Sequence, residues 1–350
     1  MILNILLLIF ILGLLIFVHE LGHFLVARKS NVHIYEFALG MGPVILSKKG
    51  KDGIKYSLRL FPIGGFVQMA GEVDEDDKKI KKERFMCNRP WHQRLLILIA
   101  GVTMNFLLAI VLLFVIALFW GASVLKPVVY KATPNQPMAK AGIVAGDEII
   151  AINNKKVNNW DRAQLILAMK SKDNKYLFTI KHQDGKTEKY NITPQEKVDK
   201  EGNKSRVFGI EIKAEKTTGF ISAIKFAGTK FAFIIESMVI VIGGLFTGKL
   251  AMTSLAGPVG MYSIVGETAK MGIDSVLFLV VFLSINLGFI NILPFPAFDG
   301  GRVVFLLIEK IKGSRVDAKV ENVFHTVGFI LLMILMLYIT FQDVMRLFRA

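Results

Sequence analysis

The sequence contains a single cysteine, Cys87, among its 350 residues. One cysteine cannot form an internal disulfide, and it excludes a zinc site built from several thiolates. The chain also lacks a basic helix or a module of interleaved basic and aromatic residues. We therefore expect no nucleic-acid binding, although the net charge is +15. Residues 1–18 carry no charge at all, and Asn4 is the one strongly polar residue among them.

Apolar residues are abundant instead. They make up 53% of the chain, the mean hydropathy is +0.50, and 20% of the residues are charged. This combination indicates a membrane body with a water-soluble insert. The excess of positive charge suits loops that rest on anionic lipid. Residues 1–27 have neither a basic n-region nor a small-x-small cleavage site, so we expect a retained span and not a cleaved signal peptide.

The first span ends in the stretch Val-His-Glu-Leu-Gly-His-Phe, residues 18–24. His19 and His23 are four residues apart, so on a helix they lie on one face and can hold one zinc ion. Glu20 lies beside them and is the predicted catalytic acid and base. The pattern alone also occurs without a metal. Its position in an apolar span favours a functional site, because ionisable residues are costly to bury in a membrane.

A catalytic zinc needs a third protein ligand and an open position for water. Arg28 and Lys29 follow the first span and mark its exit as cytoplasmic. The second span, at about residues 95–120, then leads outward, and the third, at about 276–293, leads inward again. Asp299 follows the inner end of the third span, so we predict that it reaches the two histidines as the third ligand.

The residues around Asp299 fit this role. Pro294 and Pro296 break the helix, and Gly300 and Gly301 give the backbone room to turn the carboxylate inward. An aspartate after a helix break is also often a cap or a turn residue. The presence of the histidine pair in the same chain favours a ligand.

Two further segments are constrained by this arrangement. Residues 219–250 are apolar enough to span, but Lys225, Lys230 and Glu236 interrupt them. A single crossing there would place Asp299 on the wrong side, so we predict an amphipathic helix that lies along the membrane surface or a segment that dips into the membrane without crossing. In the second span, Gly101 and Asn105 are four apart, which predicts close approach of a neighbouring helix and a hydrogen bond to it.

Residues 32–72 alternate like strands at Ile54–Leu60 and Phe66–Met69, with a predicted loop at residues 61–66. We interpret them as a small sheet that dips into the membrane, the alternative being a purely structural cytoplasmic hairpin. Its edge would hold an extended substrate by strand addition. The predicted substrate-binding residues are Gly65, Phe66, Asn291 and Pro294. Asn291 equally suits a hydrogen bond to another helix.

These motifs together resemble the site-2 protease family of intramembrane zinc metalloproteases. The resemblance rests on three motifs: His-Glu-Leu-Gly-His in a first span, Gly101-x-x-x-Asn105 in a second, and Asn291-x-x-Pro294-x-Pro296-x-x-Asp299-Gly300 after a third. The bacterial RseP-type branch is most similar. Residues 137–153 look like the core of a PDZ domain, and the insert has room for one such domain where well-known branch members carry two.

The resemblance implies a fold class and a set of domains. The fold is a polytopic α-helical membrane protein with four transmembrane helices, a membrane-associated β-sheet and one extracytoplasmic PDZ-like α+β domain. The expected parts are the first transmembrane helix (1–31), the sheet (32–72), a charged cytoplasmic linker (73–92), the second transmembrane helix (93–120), the PDZ-like domain (121–215), a surface amphipathic helix (216–250), the third transmembrane helix with the Asp299 motif (251–301), and an amphipathic helix followed by the fourth transmembrane helix (302–350).

The resemblance also implies an activity: zinc-dependent hydrolysis of peptide bonds within transmembrane segments of single-pass proteins. Such substrates include anti-sigma factors already trimmed outside and remnant signal peptides. The protein would lie in a bacterial inner (plasma) membrane, with its active site near the cytoplasmic side and a PDZ-like domain that contacts or filters substrates. The alternatives are an inert PDZ-bearing scaffold and a transporter. His33, His92, His182 and His325 have no ligand spacing, and we interpret them as ordinary loop or interface histidines.

Overall fold

The computed structural model describes residues 2–72, 79–169, 172–198, 204–248, 250 and 257–347. Residues 73–78 of the predicted charged linker lie outside this described part. The chain divides into two compact units. The first comprises residues 1–113 and 256–346, and the second comprises residues 114–255 and 347–350.

Nine α-helices lie in the described part of the chain. They are α1 (Ile2–Lys29), α2 (Trp91–Trp120), α3 (Pro137–Lys140), α4 (Trp160–Ala168), α5 (Phe220–Phe246), α6 (Pro258–Met271), α7 (Ile273–Ile292), α8 (Asp299–Lys312) and α9 (Ala318–Leu347). Ten strands accompany them in the same residues: β1 (Ile34–Lys49), β2 (Lys55–Met69), β3 (Ala122–Ala132), β4 (Glu148–Ile152), β5 (Lys155–Lys156), β6 (Tyr176–Lys181), β7 (Thr187–Ile192), β8 (Gln195–Val198), β9 (Lys204–Val207) and β10 (Ile210–Thr217).

Several helices are long and apolar enough to cross a membrane. Within the described residues there are five, namely α1, α2, α5, α7 and most of α9. Four of them correspond to the predicted spans. The fifth, α5, is the segment predicted to lie on the surface, and its length and composition alone do not decide between the two placements. The count of four crossings therefore stays a prediction.

Helix α6, just before α7, was not predicted from the sequence. The stretch Gly257-Pro258-Val259-Gly260 has the composition of a chain break, but α6 starts in it, with Pro258 at the first helical position, where its missing N–H is harmless. The Asp343 carboxylate of α9 accepts a hydrogen bond from the Gly260 N–H at 2.9 Å. Helix α8 also begins earlier than expected, at Asp299 and not at residue 302, and α9 begins at Ala318.

The sheet of the first unit consists of β1 and β2. Residues 36–39 of β1 pair with two segments of β2, residues 65–68 and 55–58. The predicted loop at residues 61–66 is wrong, because β2 continues through it. β-Bulges shift the register of the β1–β2 pairing in this stretch and keep the strand continuous. Gly64 has a positive φ of 85° there.

The core of the first unit joins this sheet to the helices. Phe24 of α1, Phe37 of β1, Ile97 of α2 and Leu306 of α8 belong to one buried cluster. A second cluster joins Ile11 and Leu15 of α1 to Val280 of α7. The sheet therefore lies against the half of α1 that carries the two histidines, and α7 lies against the other half.

The second unit contains a sheet in the order β10-β3-β4-β6-β7, with β5 paired to β4 and a separate β8–β9 pair. Its buried core includes Ile149, Tyr176 and Phe178, packed against α4 residues such as Ala163. Apolar and polar residues alternate at residues 177–181 and 189–192, a pattern that predicts strands, and these residues lie in β6 and β7.

Candidate metal centre

The three predicted ligands come together in the first unit. His19 and His23 lie one turn apart on α1 and are 7% and 8% exposed. Their Nε2 atoms are 3.2 Å apart. Asp299, the first residue of α8, places its Oδ2 3.1 Å from His19 Nε2 and 3.3 Å from His23 Nε2. These are the only three His, Cys, Asp or Glu residues in the described chain that converge this way.

These distances suit zinc. Bonds of about 2.0–2.1 Å in a tetrahedral site place the ligand atoms roughly 3.3 Å from one another. Two imidazoles and one carboxylate also form a donor set that catalytic zinc uses, with a fourth position left for water. The convergence of the donors therefore fits the predicted ion.

The tautomer of His23 is set by α2. Its Nδ1 lies 2.7 Å from the Ile97 carbonyl oxygen, which can only accept a hydrogen bond. Nδ1 therefore carries the proton, and Nε2 presents its lone pair toward Asp299. A backbone carbonyl that orients a histidine in this way is a common partner of metal-binding imidazoles.

Asn105 can set the tautomer of His19. Its amide nitrogen lies 3.2 Å from His19 Nδ1, and its buried Oδ1 has no hydrogen-bond partner among the described residues. A metal on His19 Nε2 requires a proton on Nδ1. A half-turn of the amide, which exchanges atoms of nearly equal size, lets Oδ1 accept that proton. The predicted hydrogen bond from Asn105 to a neighbouring helix is confirmed.

Gly101 makes room for the two imidazoles. A Cβ on it would lie 2.4 Å from His23 Nε2 and 2.7 Å from His19 Nε2. On α1, a Cβ on Gly22 would lie 2.4 Å from the Ala100 carbonyl oxygen. The two helices therefore approach at backbone distance, as the spacing of Gly101 and Asn105 predicts.

The Asp299 carboxylate is held in its charged form. Burial alone would raise its pKa, but the adjacent imidazoles of His19 and His23 outweigh burial and hold the pKa well below its usual range. Gly300 and Gly301 let the start of α8 pack closely against the backbone of the preceding residues, and they do not themselves form the turn before α8. A Cβ on Gly300 would lie 2.2 Å from the Leu293 carbonyl oxygen. The positive φ in this loop, 75°, belongs to Ala297.

A cavity of about 480 Å³ opens beside the three ligands. Glu20 lines it, and so do Gly65, Phe66 and Asn291. Gly65 is close to the predicted catalytic group, since a Cβ on it would lie 3.1 Å from Glu20 Cγ. Pro294 is exposed and does not belong to this lining.

Some cavity residues were not foreseen. Arg302 lines the cavity and forms an ion pair with Glu72, which also lines it. Its position three residues after Asp299, on the same face of α8, is a signal that sequence reasoning could have used. Phe329 and Leu332 of α9 complete one wall, and no local pattern ties them to the metal ligands.

The comparison with known proteins decides the family. A profile of peptidase family M50 matches residues 7–335. The chain belongs to peptidase family M50. It is 36% identical over 341 residues to a putative zinc metalloprotease of Clostridium acetobutylicum, covering 97% of both chains. It is 31% identical over 417 residues to the regulator of sigma-W protease RasP of Bacillus subtilis, covering 97% of this chain and 98% of RasP.

Membership of family M50 confirms the main functional predictions. The chain is a zinc metalloprotease of the site-2 type that works within a membrane. It is a bacterial inner-membrane protein with several helices that can span the bilayer.

Proposed function

We propose that this M50 peptidase cleaves single-pass membrane proteins within their transmembrane segments. His19, His23 and Asp299 would be its zinc ligands, and Glu20 its general base and acid. The observation that supports this proposal most directly is the convergence of His19 Nε2, His23 Nε2 and one Asp299 carboxylate oxygen within 3.3 Å of one another. They lie beside a cavity that Glu20 also lines.

The roles of the chain's own residues follow from their positions. Zinc, when bound, lowers the pKa of a water molecule to about 7 and polarises a carbonyl group. Glu20 accepts the proton from the attacking water and returns it to the leaving amine. Asn291 donates a hydrogen bond to the substrate backbone. Ile97 and Asn105 keep both imidazoles in the metal-binding tautomer.

The substrate would be held as an added strand. A peptide bond inside a helix is shielded, so the segment must unwind before it can be cut. Gly65, Phe66 and Val67 of β2 line the cavity next to Glu20. A substrate strand paired there gains main-chain hydrogen bonds while its scissile bond faces the ligands.

For the substrate class, we propose anti-sigma factors that another protease has already trimmed outside the membrane. The support is the likeness to RasP, which is named as a regulator of sigma-W. Remnant signal peptides are the second class. The insert would be a PDZ-like domain that excludes proteins with intact outer domains.

Metal analysis tests the ligand set. The purified wild-type chain is expected to hold close to one zinc per chain, and Asp299→Ala is expected to hold almost none after mild dialysis, because a three-ligand site has become a two-ligand site. Asp317→Ala, at an exposed position in the loop before α9, is the matched control and should keep its zinc. Retention of zinc by Asp299→Ala would remove Asp299 from the ligand set.

We also propose that α5 lies along the extracytoplasmic surface of the inner membrane. Its first residue, Phe220, contacts Phe114 of α2 with ring centroids 5.3 Å apart. Next to this contact, Thr217 of β10 pairs with Ala122 of β3. Helix α5 therefore starts where α2 ends, on the side of the membrane that carries the insert.

Ion pairs support this placement. Lys230 forms an ion pair with Asp161 of α4, and Glu236 lies 2.7 Å from the Arg162 guanidinium. At 1.5 Å per residue these positions are about 15 and 24 Å along α5. The helix thus runs beside the water-soluble insert at least to Glu236. The remaining ten residues cover only about 15 Å, half of a ~30 Å hydrocarbon core.

Cysteine labelling tests the placement of α5. In a Cys87→Ser background, Thr247→Cys at the end of α5 is expected to react with a membrane-impermeant maleimide added outside intact spheroplasts. Asp184→Cys in the insert serves as the outside reference, and Lys82→Cys before α2 serves as the inside reference. Labelling of Thr247→Cys only after lysis would mean that α5 crosses, and the orientation of Asp299 would need another explanation.

A further inference from the structure

The loop between α7 and α8 delivers Asp299 to the metal centre in an unusual conformation. Its Ala297 has a φ of 75°, in the left-handed region. The other non-glycine residues with positive φ in the described chain are all asparagine or aspartate, which tolerate this region. An alanine persists there only when its surroundings impose the conformation. Something outside the loop must therefore hold Ala297.

Helix α9 provides the contact. The Ala297 N–H donates a hydrogen bond to His325 Nδ1, at 3.1 Å. His325 Nδ1 must then be unprotonated, so in the neutral ring the proton lies on Nε2. Nε2 faces the Glu321 carboxylate one turn earlier on α9, 3.8 Å away. The carboxylate favours the tautomer in which Nδ1 accepts.

A second residue of the same face supports the loop one turn further along α9. Gly328 lies so close to Pro296 that a Cβ on it would be 2.0 Å from the Pro296 Cβ. His325 and Gly328 thus contact two consecutive loop residues. On its other side, the loop lies against the start of α8, since a Cβ on Gly301 would be 2.5 Å from the Phe295 carbonyl oxygen. The loop is confined between α8 and α9.

We propose that His325 is a positioning residue for the third zinc ligand. Its Nδ1 holds Ala297 in the left-handed conformation, and Ala297 lies two residues before Asp299 in the chain. Release of this hydrogen bond lets the loop relax, and the Asp299 carboxylate moves away from the two imidazoles. This inference rests on the proposed function, because it takes Asp299 as a ligand. It also corrects the interpretation of His325 as an ordinary interface histidine.

Two amide substitutions test the role of Nδ1 in the full-length chain. In His325→Asn, the side-chain oxygen can occupy the place of Nδ1 and accept from Ala297. In His325→Gln, the amide reaches the place of Nε2 and leaves Ala297 without its acceptor. Competition with a zinc chelator is expected to give a dissociation constant within about threefold of wild type for His325→Asn, and on the order of tenfold weaker for His325→Gln.

Activity as a function of free zinc provides the second readout. His325→Gln is expected to regain cleavage of a single-pass test substrate when free zinc is raised about tenfold, which general damage to the fold would not allow. Thr326→Leu, the exposed neighbour on α9, is the control and should leave the zinc affinity unchanged. Gly328→Ala is an independent variant and should weaken zinc binding through Pro296.

Two results would overturn the inference: equal zinc affinities for His325→Gln and wild type, or equal losses for His325→Asn and His325→Gln. The first would separate His325 from Asp299, and the second would show that Nδ1 is not the group that matters. Asp299→Ala keeps this failure distinct from failure of the ligand set. If Asp299→Ala loses zinc while His325→Gln does not, the ligand set stands and the positioning role falls.

Discussion

Glu20→Gln is expected to lower the rate of substrate cleavage by a factor on the order of 10²–10⁴ while the zinc content stays near one per chain. Glutamine keeps the size and hydrogen-bonding reach of the side chain, but it cannot accept a proton from water. The three proposed metal ligands are untouched, so binding of the ion is preserved. Cleavage of a fluorescent single-pass substrate in detergent, measured together with metal content, checks both halves of this expectation.

Glu267→Gln is the matched control for that experiment. Glu267 is an exposed residue of α6, and its substitution changes the net charge by the same amount. It should leave cleavage unchanged. If Glu20→Gln cleaved as fast as the control, Glu20 would not be the catalytic base.

Gly101→Ala is expected to abolish zinc binding at near-neutral pH and to reduce cleavage by roughly 100-fold or more, because the added methyl group meets the imidazoles of both proposed histidine ligands. Its Cβ would lie 2.4 Å from His23 Nε2, so the rings cannot stay where Asp299 meets them. Alanine is a better helix former than glycine by about 1 kcal/mol, so α2 itself should not be weakened. The loss is therefore specific to the site.

Gly13→Ala separates this effect from glycine replacement in general. Gly13 lies in α1, and a Cβ on it meets nothing within 4 Å. We expect wild-type zinc content and cleavage for it. A Gly101→Ala chain that bound zinc as tightly as Gly13→Ala would mean that α1 and α2 are further apart than the present geometry has them.

The proposed ligand set follows from two sequence signals of different range that agree. The spacing of His19 and His23 is local, and the position of Asp299 follows from counting the crossings between the first and third spans. Gly101 and Asn105 were foreseen as a contact between helices. Their actual role could not be foreseen, since the sequence does not say which side chain faces them.

The misses have physical causes. Helix α6 is only moderately apolar and starts in a Gly-Pro-rich stretch that also suits a break, so periodicity did not separate it from a turn. The strand β2 runs through Pro62, Gly64 and Gly65 because bulges tolerate them, whereas the composition suggested a loop. The placement of α5 was not a miss and stays a prediction, and the ion pairs that support it join α5 to α4, about 70 residues earlier in the chain.

His325 illustrates a limit of a different kind. Its functional contact is a hydrogen bond from the backbone of a residue 28 positions away. A backbone donor leaves no mark in the sequence, and the left-handed conformation of Ala297 gives none either. Only the structure shows that Ala297 and His325 are in contact, in the loop between α7 and α8 that leads to Asp299.

The most direct measurement reconstitutes the purified chain in lipid vesicles with a single-pass substrate that has been trimmed on its outer side, and maps the products by mass spectrometry. The account predicts a cut inside the apolar segment that stops when a chelator removes zinc, returns when zinc is restored, and is absent with Glu20→Gln. Cleavage only in the soluble flanks, or cleavage that continues without zinc, would contradict it.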